Sequence, residues 1–233
     1  MIGGLVYESY KAKQMRQLAL SIATEAKPVT VAAAQDFSMY KTFIGDDGRE
    51  MVQIAEGPFV MGSRDNDSDP DEKPEHQVYL KAYFIDKKEV SQDEFDRFAK
   101  MTKRAKRKIE VFEDDPAKLL KPENPAIAVT WDDAEAYCRW AGKRLPTEAE
   151  WEKAARGESK RRYPWGDEFV VGYANIDGTE DGFQYLAPPG TFEPGRSPFG
   201  VYDMTGNVAE WVADFYEENY YQKATYRDPK GPD

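Results

Sequence analysis

From residue 163 to its end the chain is dense in Gly, Pro, Asn, Asp and aromatic residues and carries almost no long periodic stretch. Such a region folds as loops, and long loops persist in a compact domain only when their backbone polar groups are fixed by something else. Disulfides are excluded, because the 233 residues contain 1 Cys, Cys138. Buried aromatics, hydrogen-bond networks or bound metal ions remain as the means. The same cysteine count rules out a zinc or iron–sulfur site built from cysteines. The single histidine, His76, rules out a two-histidine metal grip or a three-histidine iron site within one chain.

A chain of this size buries roughly 70% of its unfolded surface, enough for one large or two small domains. Hydrophobic residues at 40% and charged ones at 32% are ordinary for a globular protein. The net charge of −11 repels phosphate backbones, which excludes nucleic acid as a partner. No stretch approaches the roughly 20 apolar residues of a membrane span. The first residues place apolar side chains before positive ones, the reverse of a secretion signal.

Residues 5–27 carry Leu5, Tyr7, Met15, Leu18, Leu20 and Ile22 among Lys11, Lys13 and Arg16, and stop at Pro28. They read as an amphipathic helix that either packs on the chain's own body or docks on a protein partner. The turn cluster Gly45-Asp-Asp-Gly48 marks a change of texture, dividing the chain into a leading unit, 1–45, and a main domain, 46–233. Short strands follow at Met51–Ile54, Phe59–Met61 and within Gln77–Ile85. Between them lies an acidic loop, Arg64–Glu75. Its Asp65-Asn-Asp-Ser-Asp69 spacing suggests a calcium loop, but Pro70 stands where the sharp turn needs glycine and His76 where a bidentate glutamate belongs. It reads as a solvated loop, with Asn66-Asp-Ser68 a chance glycosylation triplet.

Three helix starts are explicit: Ser91 with Glu94, Thr130 with Asp133 and Thr147 with Glu150, each pairing a hydroxyl cap with an acid three residues on, so that two backbone donors are satisfied reciprocally. Gly142 and Gly157 close the second and third. The basic run Lys103-Arg104-Ala-Lys106-Arg107-Lys108 reads as a solvated helix end. The late aromatics, among them Trp165, Tyr185, Phe199 and Trp211, either fill core or line a groove.

Gly57-Pro-Phe-Val-Met-Gly-Ser63, Asp71-Glu-Lys-Pro74 with His76, Ile85-Asp-Lys-Lys-Glu-Val90, Ala141-Gly-Lys-Arg-Leu-Pro-Thr-Glu-Ala-Glu-Trp151, Ala154-Ala-Arg-Gly157, Tyr163-Pro-Trp-Gly-Asp167 and Gly206-Asn-Val-Ala-Glu-Trp211 occur in order. Together they resemble the formylglycine-generating enzyme, or sulfatase-modifying factor, family over residues 50–233. The resemblance implies an α+β domain of the irregular C-type-lectin-related kind, with short strands, three short helices and many loops. It also implies calcium, a hard cation suited to oxygen ligands. One site would fall on Asn175 and Asp181 with the carbonyls of Ile176 and Phe183, at a spacing shorter than in some relatives. A second would fall on Asn207 and Glu210 with carbonyls near Gly206 and Val208. The alternative is that these groups only cap turns. Calcium dependence is the one pointer to an extracytoplasmic or periplasmic location.

Members that make formylglycine use two late cysteines to bind copper and oxidise a client cysteine, and soft thiolates are what Cu(I) requires. Neither is present in these residues, so copper is not supported, and no catalytic residue is assigned. Cys138 falls on the inward face of the second predicted helix, and His76 at the start of a strand; both read as structural. The sequence breaks off where relatives continue into an arginine- and glycine-rich strand and the cysteine segment, which would leave apolar interior open. The expected function is a calcium-stabilised, non-catalytic accessory or binding subunit of a larger assembly. The alternative is a copper-dependent formylglycine-generating oxidase whose cysteine segment lies beyond residue 233.

Overall fold

The computed structural model describes residues 36–66, 68–105, 107 and 119–232. The predicted leading helix over 5–27 lies outside them. A first antiparallel sheet has the order β1 (Thr42–Ile44), β2 (Glu50–Ile54), β5 (Tyr83–Asp86). A second pairs β3 (Gly57–Met61) with β4 (His76–Leu80). The apolar run 77–85, continuous in the sequence, is cut at Lys81-Ala82: its first half joins β3 and its second half joins β2. Strand β1 arises from a stretch with no clear periodicity and is visible only through its partner. Chain from the far end adds a rung outside β4, where Tyr79 N–H donates to the Tyr226 carbonyl at 2.6 Å and Asp228 N–H to the Tyr79 carbonyl at 2.9 Å.

Alternation decides which face is covered. Val52, Ile54 and Tyr83 share one face of the first sheet and are buried with Phe59, Met61, Val78 and Leu80 of the second. Ala149, Ala154 and Ala155 of the last helix, with Phe199, Val201, Met204 and Tyr221 from the late loops, close this core. A second cluster of Phe95, Phe98, Tyr137 and Ala141 joins the first two helices. The other face of the first sheet carries Phe43, Met51 and Phe84, and Phe43 and Phe84 are 54% and 40% exposed.

Three helices are described: α1 (Gln92–Met101), α2 (Trp131–Trp140) and α3 (Glu148–Arg156). Full reciprocal caps form at Ser91 with Glu94 and at Thr147 with Glu150. At Thr130 only half of the expected pair forms. Its hydroxyl accepts from Asp133 N–H at 3.2 Å, but the Asp133 carboxylate takes the Thr130 hydroxyl at 2.8 Å and the Arg104 guanidinium instead of the cap's backbone N–H. Aspartate is one methylene too short to reach back as glutamate does. Gly142 ends α2 at φ +69, and Lys143 N–H returns to the Cys138 carbonyl at 2.7 Å.

Within the basic run Lys103 and Arg104 are exposed, as a solvated end would be, but Arg107 is packed. Arg107 lies 4.4 Å from the Phe95 ring centre, donates to the Ile127 carbonyl at 2.6 Å and pairs with Asp96 at 2.9 Å, and Arg104 lies over Phe98. Guanidinium groups flatten onto aromatic faces where an ammonium would stay hydrated. Lys153 is likewise buried, donating to the carbonyls of Ala55 and Gly57 at 2.8 and 2.9 Å, which pins α3 to the connection between the two sheets.

A buried ionic cluster ties these parts together. Arg49 donates to Asp86 at 3.0 Å and also pairs with Glu94, while Lys143 reaches Asp47 at 2.7 Å and Asp86 at 2.8 Å. The β1–β2 turn, β5, the start of α1 and the exit of α2 thus share one set of charges. Removing one member of such a cluster leaves buried charge uncompensated. Lys143→Met is expected to lower the urea-unfolding free energy by about 3 kcal/mol; a loss below about 1 kcal/mol would show that the cluster adds little.

Candidate functional site

Apart from the rung beside β4, the loops after residue 163 contain only short 3-10 turns among the described residues, and side chains hold much of their backbone. Asp181 closes the first loop: its carboxylate accepts Ile176 N–H at 2.8 Å and Phe183 N–H at 2.9 Å. The four residues of the first predicted calcium set are thereby gathered. Asn175, 4% exposed, donates to the Tyr185 carbonyl at 2.7 Å and to the Asn207 side-chain oxygen at 2.8 Å, while its own carbonyl accepts Asn207 N–H at 2.9 Å. Its side-chain oxygen is buried with no hydrogen-bond partner.

The second set is adjacent to the first. Asn207, at φ +60, donates to Glu89 at 2.7 Å and to the Ala187 carbonyl at 3.1 Å, and its oxygen also accepts Ala187 N–H at 3.0 Å. Its amide is therefore spent on cross-linking three segments, which makes it a positioning group more than a free ligand. Gly206 permits this approach: at φ +92, a Cβ would stand 2.0 Å from the Asn175 carbonyl oxygen. Glu210 accepts the Trp151 indole N–H at 3.1 Å.

Glu89 and Asp203 are the members that sequence reasoning missed. Glu89 is buried, and one of its oxygens has no partner. Burial first, and then the nearby Asp203 and Glu210 charges, push its carboxyl up to about 9. Glu210 is held up to about 7, chiefly by desolvation within the surrounding protein, although its surface opens on a cavity; Asp203 is raised for the same first reason. Glu89 lies in the 85–90 motif directly before the α1 cap, but its partner is 118 residues away, so no local pattern announces it.

Unpartnered buried oxygens of Asn175 and Glu89 beside carboxyls raised by burial are the environment a hard cation would relieve. Among the described residues no three His, Cys, Asp or Glu side chains converge to grip a metal on their own. An ion here would depend on amide and carbonyl oxygens, which are the groups the predicted sets contain.

Next to this network runs an apolar trough of about 770 Å³. Its floor is the uncovered sheet face, Phe43, Met51 and Phe84, and α2 forms a wall with Ala134, Tyr137 and Cys138. The Cys138 thiol is half-buried, and burial pushes it up to about 11. Two indoles fasten the late loop beside the trough: Trp211 N–H donates to the Val129 carbonyl and Trp131 N–H to the Val212 carbonyl, both at 2.8 Å. His76 donates from Nδ1 to the Pro74 carbonyl at 3.0 Å and sets its ring edge-on to Tyr221 at 4.9 Å, away from both sets.

Residues 36–232 match the sulfatase-modifying factor enzyme 1-like domain family. The chain is 33% identical to the formylglycine-generating enzyme of Bos taurus over 78% of its own length and 62% of that enzyme. It is 34% identical to the inactive Cα-formylglycine-generating enzyme 2 of Bos taurus over 72% of its length and 71% of the relative. Against the formylglycine-generating enzyme of Streptomyces coelicolor the match covers 39% of the relative, so the chain spans less than two thirds of either active enzyme. Among solved structures, PvdO from Pseudomonas aeruginosa superimposes with a TM-score of 0.69 at 32% identity, over 82% of this chain and 78% of that one. The α+β architecture of short strands, three helices and many loops agrees with that neighbour. Gly206→Ala is expected to destabilise the domain by more than about 1 kcal/mol, because both the backbone angle and the Asn175 carbonyl resist a Cβ; a melting temperature equal to the parent's would mean that the two loops do not meet as described.

Proposed function

Given that the chain belongs to the sulfatase-modifying factor family, we propose that it is a calcium-stabilised domain that binds and performs no chemistry of its own, serving as an accessory or recognition subunit of a larger assembly. The observation that carries this reading is the thiol. Copper chemistry of the family's kind asks for two soft thiolates, and residues 1–233 supply 1 Cys. Cys138 sits on an apolar wall, with its ionisation opposed by burial, the environment of an inert cysteine. A relative named inactive matches at 34% identity, against 33% for the active bovine enzyme, so membership alone leaves the chemistry open.

Asn175 and Asp181 with the carbonyls of Ile176 and Phe183 would hold one calcium ion. Glu210 and Glu89 with carbonyls near Gly206 and Val208 would hold the second, with Asn207 keeping the segments in place. When bound, calcium supplies positive charge and oxygen coordination that fix loops lacking regular structure. Asp181 already draws two backbone N–H groups inward, and the Asn175–Asn207 pair keeps both sets at one spacing.

A ligand bound only by the native state at a hundred times its Kd stabilises by about 2.7 kcal/mol. Melting of the 233-residue chain is therefore expected to rise by several degrees with millimolar calcium over EGTA, and Asp181→Asn or Glu89→Gln should shrink that rise. Superimposable curves would remove the metal assignments. In an oxygen electrode, the chain with copper and a sulfatase-type cysteine peptide should consume no oxygen beyond the copper-only blank. Peptide- and copper-dependent uptake would overturn the non-catalytic reading.

A further inference from the structure

We propose that the corner where the late loop meets α3 is a pH-sensitive clasp, in which Glu148, Tyr221 and the acids around them hold residues 211–222 down at mildly acidic pH and release them above neutrality. Three ties bring the segment there: Ala213 N–H donates to the Pro146 carbonyl at 2.8 Å, the Asp214 carboxylate accepts Glu148 N–H at 2.9 Å, and the Tyr216 hydroxyl donates to Asp71 at 3.0 Å. Tyr221 follows in the 3-10 turn Tyr220–Gln222. It is 8% exposed, sets its ring edge-on to His76 and bonds its hydroxyl to the Glu148 carboxylate. Trp211, Phe215 and Tyr216 stand out of the same segment into solvent, so its release changes the aromatic surface that the domain presents.

The charges at this corner do not balance. Glu148 and Glu152 stand one turn apart on α3, the spacing at which like charges repel. Glu152 is compensated, because its carboxylate accepts Gly62 N–H at 2.9 Å and pairs with Arg156 at 2.6 Å. Glu148 has no ion pair among the described residues, and the charges that bear on it are those of Glu152, Asp214 and Asp71. Glu72, from the 3-10 turn Pro70–Glu72, acts on Tyr221, and His76 of β4 acts on Glu152, with its Nε2 buried and without a hydrogen-bond partner. Other cations at the ends of these elements are spent, Arg144 on Glu150 and Lys223 on Glu217, each at 2.6 Å. Glu148 keeps an exposed surface, yet desolvation of its carboxyl by the protein, and then the neighbouring acids, hold it up to about 7, while the Tyr221 hydroxyl pulls it down. A carboxyl raised in the folded state contributes stability that is complete below the ordinary carboxylate range and is lost as pH rises through 7. Above that pH a further negative charge stands among Glu152, Asp214 and Asp71, and the segment tied through Asp214, Tyr216 and Tyr221 is what the repulsion pushes away.

Hydrogen exchange of the full chain reads the clasp at the amides of Glu148, Ala213 and Lys223, compared as protection factors so that the chemical dependence of exchange on pH is removed. These should fall about tenfold or more between about pH 5.5 and 8, since each unit of raised pKa is worth a factor of ten. In Glu148→Gln, whose side chain is neutral throughout and whose near-UV circular dichroism should match the parent's, they should change by less than about twofold. In the parent, the carboxyl 13C resonance of Glu148 should titrate near pH 7, and Tyr221→Phe should move that midpoint upward by removing the donor that favours the ionised form. Protection factors that are equal at the two pH values in the parent would overturn the proposal. So would a fall that survives Glu148→Gln, which would assign it to His76 or another group, and so would a Glu148 midpoint in the ordinary carboxylate range.

Discussion

One side chain, Asn207, carries more of this fold than any strand pairing does. Its amide spans Glu89 before the first helix, Ala187 in the middle of the late region and Asn175 at its start, and its backbone N–H meets the Asn175 carbonyl. Loops without ladders still have to satisfy their buried N–H and C=O groups, and here that task falls to amides and carboxylates. Asp181 does the same for its own turn, and Asp203 for Gly190 at 2.6 Å. Indoles do it where the late loop meets the helices. The outcome is an irregular region without disulfides, tied by polar side chains.

That mode of construction explains the chemistry of the site. Polar groups drawn together to tie loops leave surplus oxygens, and Asn175 and Glu89 each bury one without a donor. In an apolar setting such surplus is costly, and it is tolerable beside a cation. Structural tie and candidate metal site are in this sense one arrangement seen at two levels. The trough beside it follows from the sheet: alternation puts Val52, Ile54 and Tyr83 into the core and necessarily turns Phe43, Met51 and Phe84 outward.

Legibility in the sequence followed distance along the chain. Helix caps depend on residues three apart, so Ser91 with Glu94 and Thr147 with Glu150 were readable, and the half-formed cap at Thr130 differs by one methylene. The turn that Asp181 makes with Ile176 and Phe183 lies within a few residues and so within reach of a motif, whereas Asn207 and Glu210 take their partners from far along the chain. The partners of Glu89 and Trp211 were not readable, since they lie 118 and 82 residues away and no periodicity links them. The stacking of Arg104 and Arg107 on α1 was hidden because a run of cations looks the same solvated or packed. Strand β1 was hidden because three exposed residues carry no alternation to detect.

The account stands on polar side chains, not regular secondary structure, holding the late region. Native-state hydrogen exchange measures that directly. The amides of Ile176, Phe183, Ala187 and Asn207 should exchange as slowly as those of β2 and β5, opening only with global unfolding. Exchange at these four positions as fast as at an exposed loop amide such as Glu218 would contradict the account, because the region would then be held by nothing that the fold depends on.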